Sequence, residues 1–371
     1  MLEKSFLTYF PPNQLFMNSF YRFLGVFSIL LYTQVLSAQT TSELLDSLKT
    51  ELSEAKTAND RSLILSELTW YYVPVSQDTA IMFGEENIEV AKSLDNPDML
   101  AQAYSDLGYA NMEKGELIKA RKNYQQALEL RYETGDSTKI YGTITNLGSV
   151  YQRDFQSDSA MVNYLKALSF FERTGNDRNA DFVRNNIGVI YLEMRNYPKA
   201  LEILQEVAEY RKAQNDDYLY ASTLTNIASI YKNLKDYQNS EKTYLEALQI
   251  FIEEGDDYYT ATTYNNLATL YNAQKNSKLS ISYAEKGLEL AAQVGADYDY
   301  ALLESNLAQS YHDLKDYTQS REYYLRALSH FKAQNAEDDI ATMYLLMSPV
   351  YAALGMPDSS AYYTTAYVDL N

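Results

Sequence analysis

The sequence predicts an all-α fold, a solenoid built by repeating one pair of helices. Three observations carry that prediction. Leu107, Leu147, Ile187, Ile227, Leu267 and Leu307 stand forty residues apart. Tyr151, Tyr191, Tyr231, Tyr271, Tyr311 and Tyr351 keep the same step, as do the small residues Ala80, Ala120, Ala160, Ala200, Ser240, Ser280, Ser320 and Ser360. Gly135, Gly175, Asn215, Gly255, Gly295 and Asn335 repeat it at unit boundaries, where a helix C-terminus takes a left-handed residue. Self-similarity at a fixed period of this size marks stacked supersecondary units.

The chain opens on a different pattern. Arg22 precedes the apolar run Phe23 to Tyr32, and Leu36-Ser37-Ala38-Gln39 follows, which is the order of a charged end, an apolar core and a small-residue cleavage site. Residues 1–38 are therefore expected to be a signal peptide, with Met17 an alternative start. The apolar run is short for a membrane span. The expected mature protein is periplasmic or secreted, with anchoring by an uncleaved N-terminal segment as the alternative. Residues 39–60 come next, where Leu44, Leu45 and Leu48 have helical spacing behind Ser42 and Glu43, and are expected to cap the open end of the stack.

Residues 61–371 hold the array, about eight frames. In the third frame Ile144, Leu147 and Tyr151 fall at i, i+3 and i+7, one face of a helix. Ala160, Tyr164 and Ala167 mark the partner helix in the same way. Gly148, Gly188, Ala228, Ala268 and Ala308 are small where the two helices of a pair approach, and Tyr124, Tyr164, Leu204, Tyr244, Ala284 and Tyr324 form the facing column. Acids at the boundaries, Asp136, Asp217, Asp257 and Asp297, suit N-caps and first-turn dipole partners. Tyr218, Tyr220, Tyr258, Tyr259, Tyr298 and Tyr300 cluster at those boundaries and are expected to pack against the next unit. The last helix, Ser359 to Leu370, carries Tyr362, Tyr363, Tyr367 and Val368 and reads either as self-capped or as a surface for self-association.

A unit of Leu-Gly-x-x-Tyr, then a small residue, then Tyr and Ala, resembles the tetratricopeptide repeat, whose usual length is about 34 residues. The resemblance implies a right-handed superhelical solenoid with the first helix of each pair lining the inner curve. The forty-residue version is similar to the arrays of kinesin light chains, of mitotic adaptor scaffolds that bind G-protein regulators, and of bacterial peptide-pheromone receptors. It is also similar to the exported sensory arrays of histidine kinases.

On the stripe of the first helix opposite the core, one residue type persists: Asn146, Asn186, Asn226, Asn266 and Asn306. Each amide offers a donor and an acceptor, which matches the alternating N–H and C=O groups of an extended peptide. In the resembling peptide-binding families an asparagine just before this Leu-Gly pair faces the ligand. These five residues are the expected peptide-binding set, with Arg153 the one base on the stripe and Asp106 and Leu346 breaking the ladder at its ends. Because Glu193 and Asp313 also lie on the stripe, an internal or basic segment is expected in preference to a clamped C-terminal carboxylate. The alternative is that each asparagine bonds a neighbouring helix and only stiffens the array.

Composition narrows the function classes. A net charge of −19 argues against nucleic acid and anionic membrane surfaces as direct partners of the mature chain. The absence of cysteine excludes disulfides and thiolate metal sites. His312 and His330 are the two histidines and sit in no catalytic or metal-binding frame, and no phosphate loop or nucleophile elbow is present. The expectation is a binding scaffold for a protein or peptide, without catalytic residues, cofactor or metal. The alternative is a sensory or regulatory subunit acting through a separate membrane partner, since the sequence contains no kinase core or DNA-binding helix pair.

Overall fold

The structure, a computed structural model, describes residues 33–370, with side chains from residue 43 onward. The expected signal peptide lies outside the described residues as far as residue 32. Among the described residues seventeen α-helices follow one another without a strand. Helix α1 (Thr33–Glu54) precedes eight pairs. These are α2 (Ala58–Tyr72) with α3 (Gln77–Lys92), α4 (Pro97–Glu113) with α5 (Leu117–Thr134), α6 (Ser137–Arg153) with α7 (Ser157–Arg173), and α8 (Asp177–Glu193) with α9 (Tyr197–Ala213). Then come α10 (Asp217–Asn233) with α11 (Tyr237–Glu254), α12 (Asp257–Ala273) with α13 (Ser277–Val294), α14 (Asp297–Asp313) with α15 (Tyr317–Ala333), and α16 (Glu337–Ala353) with α17 (Pro357–Leu370). The first member of each pair is called helix A and the second helix B. No described helix is long and apolar enough to cross a membrane.

From α4 to α16 the helices run 17 or 18 residues, about 25 Å each. Two left-handed columns cut the chain to that length. Between pairs, Gly135, Gly175, Asn215, Gly255, Gly295 and Asn335 all have positive φ, as the sequence predicts. Within pairs a second column does the same, and the sequence gives no warning of it: Gly115, Phe155, Arg195, Lys235, Lys275, Lys315 and Gly355. The next helix is started by a side-chain cap. Asp136, Asp216 and Asp256 accept from the backbone N–H of Lys139, Leu219 and Tyr259. Asp217, Asp257 and Asp297 open their helices in the first turn, where an acid faces the positive end of the dipole.

By its packing the chain forms two compact units, whose described parts are residues 33–203 and 204–370, and the division falls within α9. In the first unit Leu45 and Leu48 of α1 are buried with Leu65, Leu68 and Phe83. Tyr124 and Tyr164 are fully buried, in clusters with Leu147 and Val150 and with Ile187 and Ile190. The Gly148 column explains that burial. A Cβ there would lie 2.6 Å from Cε1 and 2.8 Å from Cδ1 of Tyr164, so the glycine admits the ring between the paired helices.

The second unit repeats the scheme with Tyr244 and Tyr324, each against an alanine, Ala228 and Ala308. The frame of α12 and α13 departs from it. Ala284 replaces the large tyrosine and Gly287 replaces alanine, and Leu303 of α14 fills the space, its Cδ2 being 2.7 Å from where a Gly287 Cβ would stand. Volume lost on one helix is returned by the next, as close packing requires. The boundary tyrosines pack partly within their own pair: Tyr218 meets the ring of Phe251 there and that of Tyr259 in the next pair, whereas Tyr298 meets Phe331 of its own pair.

Candidate functional site

Within each unit, successive A helices touch one another directly. The stripe bearing the asparagines therefore runs from helix to helix on one face. Asn146 and Asn186 occupy it in the first unit, on α6 and α8, and Asn226, Asn266 and Asn306 in the second, on α10, α12 and α14. All five are half-buried. Each immediately precedes a residue of the buried A-helix face, so Leu147, Ile187, Ile227, Leu267 and Leu307 anchor the turn and hold the amide in place.

The five are not equivalent. Among the described residues no hydrogen bond engages the side-chain amides of Asn146, Asn186, Asn226 or Asn266. Asn306 is fully used. Its Nδ2 donates to Asn265 Oδ1 at 2.7 Å and to Thr269 Oγ1 at 3.0 Å, and its Oδ1 accepts from Asn272 Nδ2 at 3.0 Å. The stiffening role therefore holds for Asn306, which ties α14 to α12. Ser310 Oγ adds a bond of 2.7 Å to Asn272 Oδ1 in the same buried network.

Asp106 ends the ladder in the first unit by a related device. It is buried, and its carboxylate accepts from Trp70 Nε1 at 2.8 Å, from Gln102 Nε2 at 2.7 Å and from the Ser66 hydroxyl. Burial pushes its pKa up to about 6, against those three donors and the nearby Arg131 charge. Arg131 Nη2 donates to Gln102 Oε1 at 3.0 Å, and its Nη1 donates to Thr143. Arg211 repeats that last contact with Thr223 at 2.7 Å in the second unit. The forty-residue column 131, 171, 211, 251, 291, 331 contains the arginines and three phenylalanines, and that alternation was the available signal for two buried cations.

Arg153 is committed elsewhere. Its Nη1 donates to the Met112 carbonyl at 3.2 Å and its Nη2 to Glu113 Oε1 at 2.7 Å, joining α6 to α4. Such matches recur at the C-terminal ends of A helices: Gln152 Nε2 reaches Glu193 Oε1 at 2.8 Å, and Lys275 Nζ reaches Asp313 Oδ2 at 3.1 Å. An open cavity of about 480 Å³ lies beside this last pair, lined by Asn276, Ser277, Lys278 and Leu314.

Away from the stripe, His330 Nε2 stands 3.8 Å from Glu304 Oε2, a pair that is ionic only when the histidine is protonated. Glu304 is buried, and burial pushes its pKa up to about 7 against the charge of Arg326. His312 lies on α14 against the ring of Tyr317. No group of three His, Asp or Glu side chains among the described residues could hold a metal ion.

Two family models, both described as tetratricopeptide repeat, match the chain, one over residues 140–213 and 219–293 and the other over 101–134 and 305–329. No curated protein matches it. Solved structures do. The apo form of the quorum sensor NprR from B. thuringiensis aligns with a TM-score of 0.67 at 19% identity, over 91% of this chain and 95% of that one. A Rap protein complexed with competence and sporulation factor aligns with a TM-score of 0.63 at 15% identity, over 90% and 97%. NprR in complex with its cognate peptide NprX gives 0.58 at 19%, over 91% and 95%. At such identities the likeness establishes the fold. Family models covering more than half of the sequence, on a chain of paired helices with the columns described above, place this protein in the tetratricopeptide repeat family.

Proposed function

We propose that this chain is a non-catalytic scaffold that binds an extended peptide segment along the stripe of its A helices. The observation that carries the reading is the half-buried asparagine amides, at 146 and 186 in the first unit and at 226 and 266 in the second, each bonded to nothing else among the described residues. A primary amide can accept from a peptide N–H and donate to a peptide C=O without regard to sequence. Two of the similar structures support the reading, being complexes with competence and sporulation factor and with the peptide NprX. The positive end, apolar core and small-residue site at the N-terminus support export as the setting, and N-terminal sequencing of the natural protein tests it: a mature chain beginning at Gln39 is expected.

Binding is tested with a positional-scanning library of acetylated, amidated heptapeptides. The wild-type chain should retain a defined subset. Asn226→Ala with Asn266→Ala should weaken retention roughly ten-fold or more, since each lost hydrogen bond contributes about 0.5–1.5 kcal/mol. Helix content and melting temperature should stay near wild type. Equal retention by the variant would remove the stripe from the binding surface.

A further inference from the structure

At the C-terminal ends of the A helices, polar side chains are matched across to the neighbouring A helix, and among the described residues a half-buried cation is left over. In the column 152, 192, 232, 272, Gln152 is bonded to Glu193 and Asn272 to Asn306, so this register points a side chain at the adjacent A helix beside the stripe. Lys232 holds the same register on α10, between the rungs Asn226 and Asn266 in the second unit. It is half-buried and forms no ion pair or hydrogen bond through its ammonium among the described residues. Where α8 offers Glu193 and α14 offers Asp313, α12 offers Ala273, which cannot answer a charge.

An ammonium removed from water without a counter-ion is costly, and burial pushes the pKa of Lys232 below the ordinary lysine range. The chain has acids in surplus, 50 Asp and Glu against 31 Lys and Arg, so a partner for this position was readily available to the sequence. The C-terminal end of a helix favours a cation, but it does so for an exposed one as well.

We infer that Lys232 receives a carboxylate of the bound peptide, so that the segment lying over Asn226 and Asn266 carries an acidic group at that point. This rests on the peptide-binding reading and narrows it, departing from the expectation of an internal or basic segment. The carboxylate belongs either to an Asp or Glu side chain or to a peptide C-terminus. Both present the same two oxygens to an ammonium in a partly desolvated place, where a charge-assisted hydrogen bond is stronger than a neutral one.

The heptapeptide library, made in free-acid and amidated forms, separates these sources. Wild-type protein is expected to select Asp or Glu at one position by about ten-fold over Asn or Gln in both forms, if the side chain is the source. It is expected to select the free-acid form alone if the C-terminus is the source. In either case Lys232→Met and Lys232→Gln should lose the acid preference, Lys232→Arg should keep it, and sensitivity to Asn226→Ala with Asn266→Ala should persist in all three. Selection without an acid preference, or an acid preference unchanged in Lys232→Met, overturns the inference while leaving the asparagine stripe standing. Retention of no peptide by the wild-type chain overturns both. Circular dichroism melts of the Lys232 variants, expected to match wild type or exceed it, separate loss of recognition from loss of fold.

Discussion

At the scale of single residues, backbone geometry and steric fit decide more than chemistry does. Gly148 is required because the Tyr164 ring occupies the place of its Cβ, and Tyr164 is itself held by Ser149 and Gln152 at 3.0 Å. Gly148→Ala should lower stability by about 1–3 kcal/mol in urea unfolding, the usual cost of overpacking a filled core. A loss below ~0.5 kcal/mol would mean that the helix pair slides apart freely. Phe155 presents the opposite case. Its φ is 54° and its side chain is 88% exposed, so it carries left-handed strain with little packing in return. Phe155→Gly should stabilise by about 0.5–1 kcal/mol, the relief of strain being partly offset by the entropy glycine adds to the unfolded chain. A destabilised variant would show that the ring makes contacts worth more than its backbone strain.

At the scale of helices, the array was legible and the wiring between A helices was not. Columns that serve the same purpose in every frame repeat at forty residues, so the small and tyrosine columns and the left-handed boundary residues could be read directly. The turns inside the pairs escaped notice because Phe155, Arg195, Lys235, Lys275 and Lys315 take a conformation usually left to glycine. The candidate site was legible as five equal asparagines, yet Asn306 differs from the rest because of Asn265 and Asn272. Earlier frames have Thr145 and Gln152, or Thr225 and Lys232, at those two positions. What a rung does thus depends on residues outside its column, which no periodicity displays. The consequence is measurable. Asn306→Ala should lower stability by about 1–3 kcal/mol in urea unfolding, because it takes from Asn265 Oδ1 its donor and from Asn272 Nδ2 one of its acceptors in a buried network. Asn226→Ala and Asn266→Ala should each stay within about 0.5 kcal/mol of wild type in the same experiment. Similar losses at all three positions would make the whole ladder structural.

At the scale of the molecule, charge sets how stability responds to solution conditions. The chain carries −19, and four of its described carboxylates hold protons more tightly when folded: burial pushes Asp106 up to about 6, Glu67 and Glu304 up to about 7, and Asp299 above its ordinary value. The repulsion of Glu51 adds to the effect at Glu67. Between the ordinary carboxylate range and these raised values the folded chain binds more protons than the unfolded one, so stability falls as pH rises through that window. It is fully present below the unfolded pKa and lost above the folded one. Glu67 is only half-buried, and solvent screening reduces its share. Asp106 and Glu304 alone should make the protein more stable at about pH 5.5 than at about pH 8 by on the order of 2 kcal/mol. Glu304→Gln should shrink that difference, because an amide cannot ionise and the buried Oε2 of Glu304 has no hydrogen-bond partner. Salt provides an independent check. The like-charge repulsion of the acidic chain is screened within about 10 Å at ~0.1 M salt, whereas exposed pairs such as Lys49 with Asp46 or Lys199 with Glu202 contribute little that salt could remove. Raising sodium chloride from about 20 mM to about 500 mM at pH 8 should therefore raise the melting temperature by about 2–4 °C, the equivalent of roughly 1 kcal/mol for a domain of this size. A melting temperature that fell with salt would mean that the ion pairs linking neighbouring helices, Arg153 with Glu113 and Lys275 with Asp313 among them, outweigh the net charge. The wiring between A helices would then be the main electrostatic support of the array.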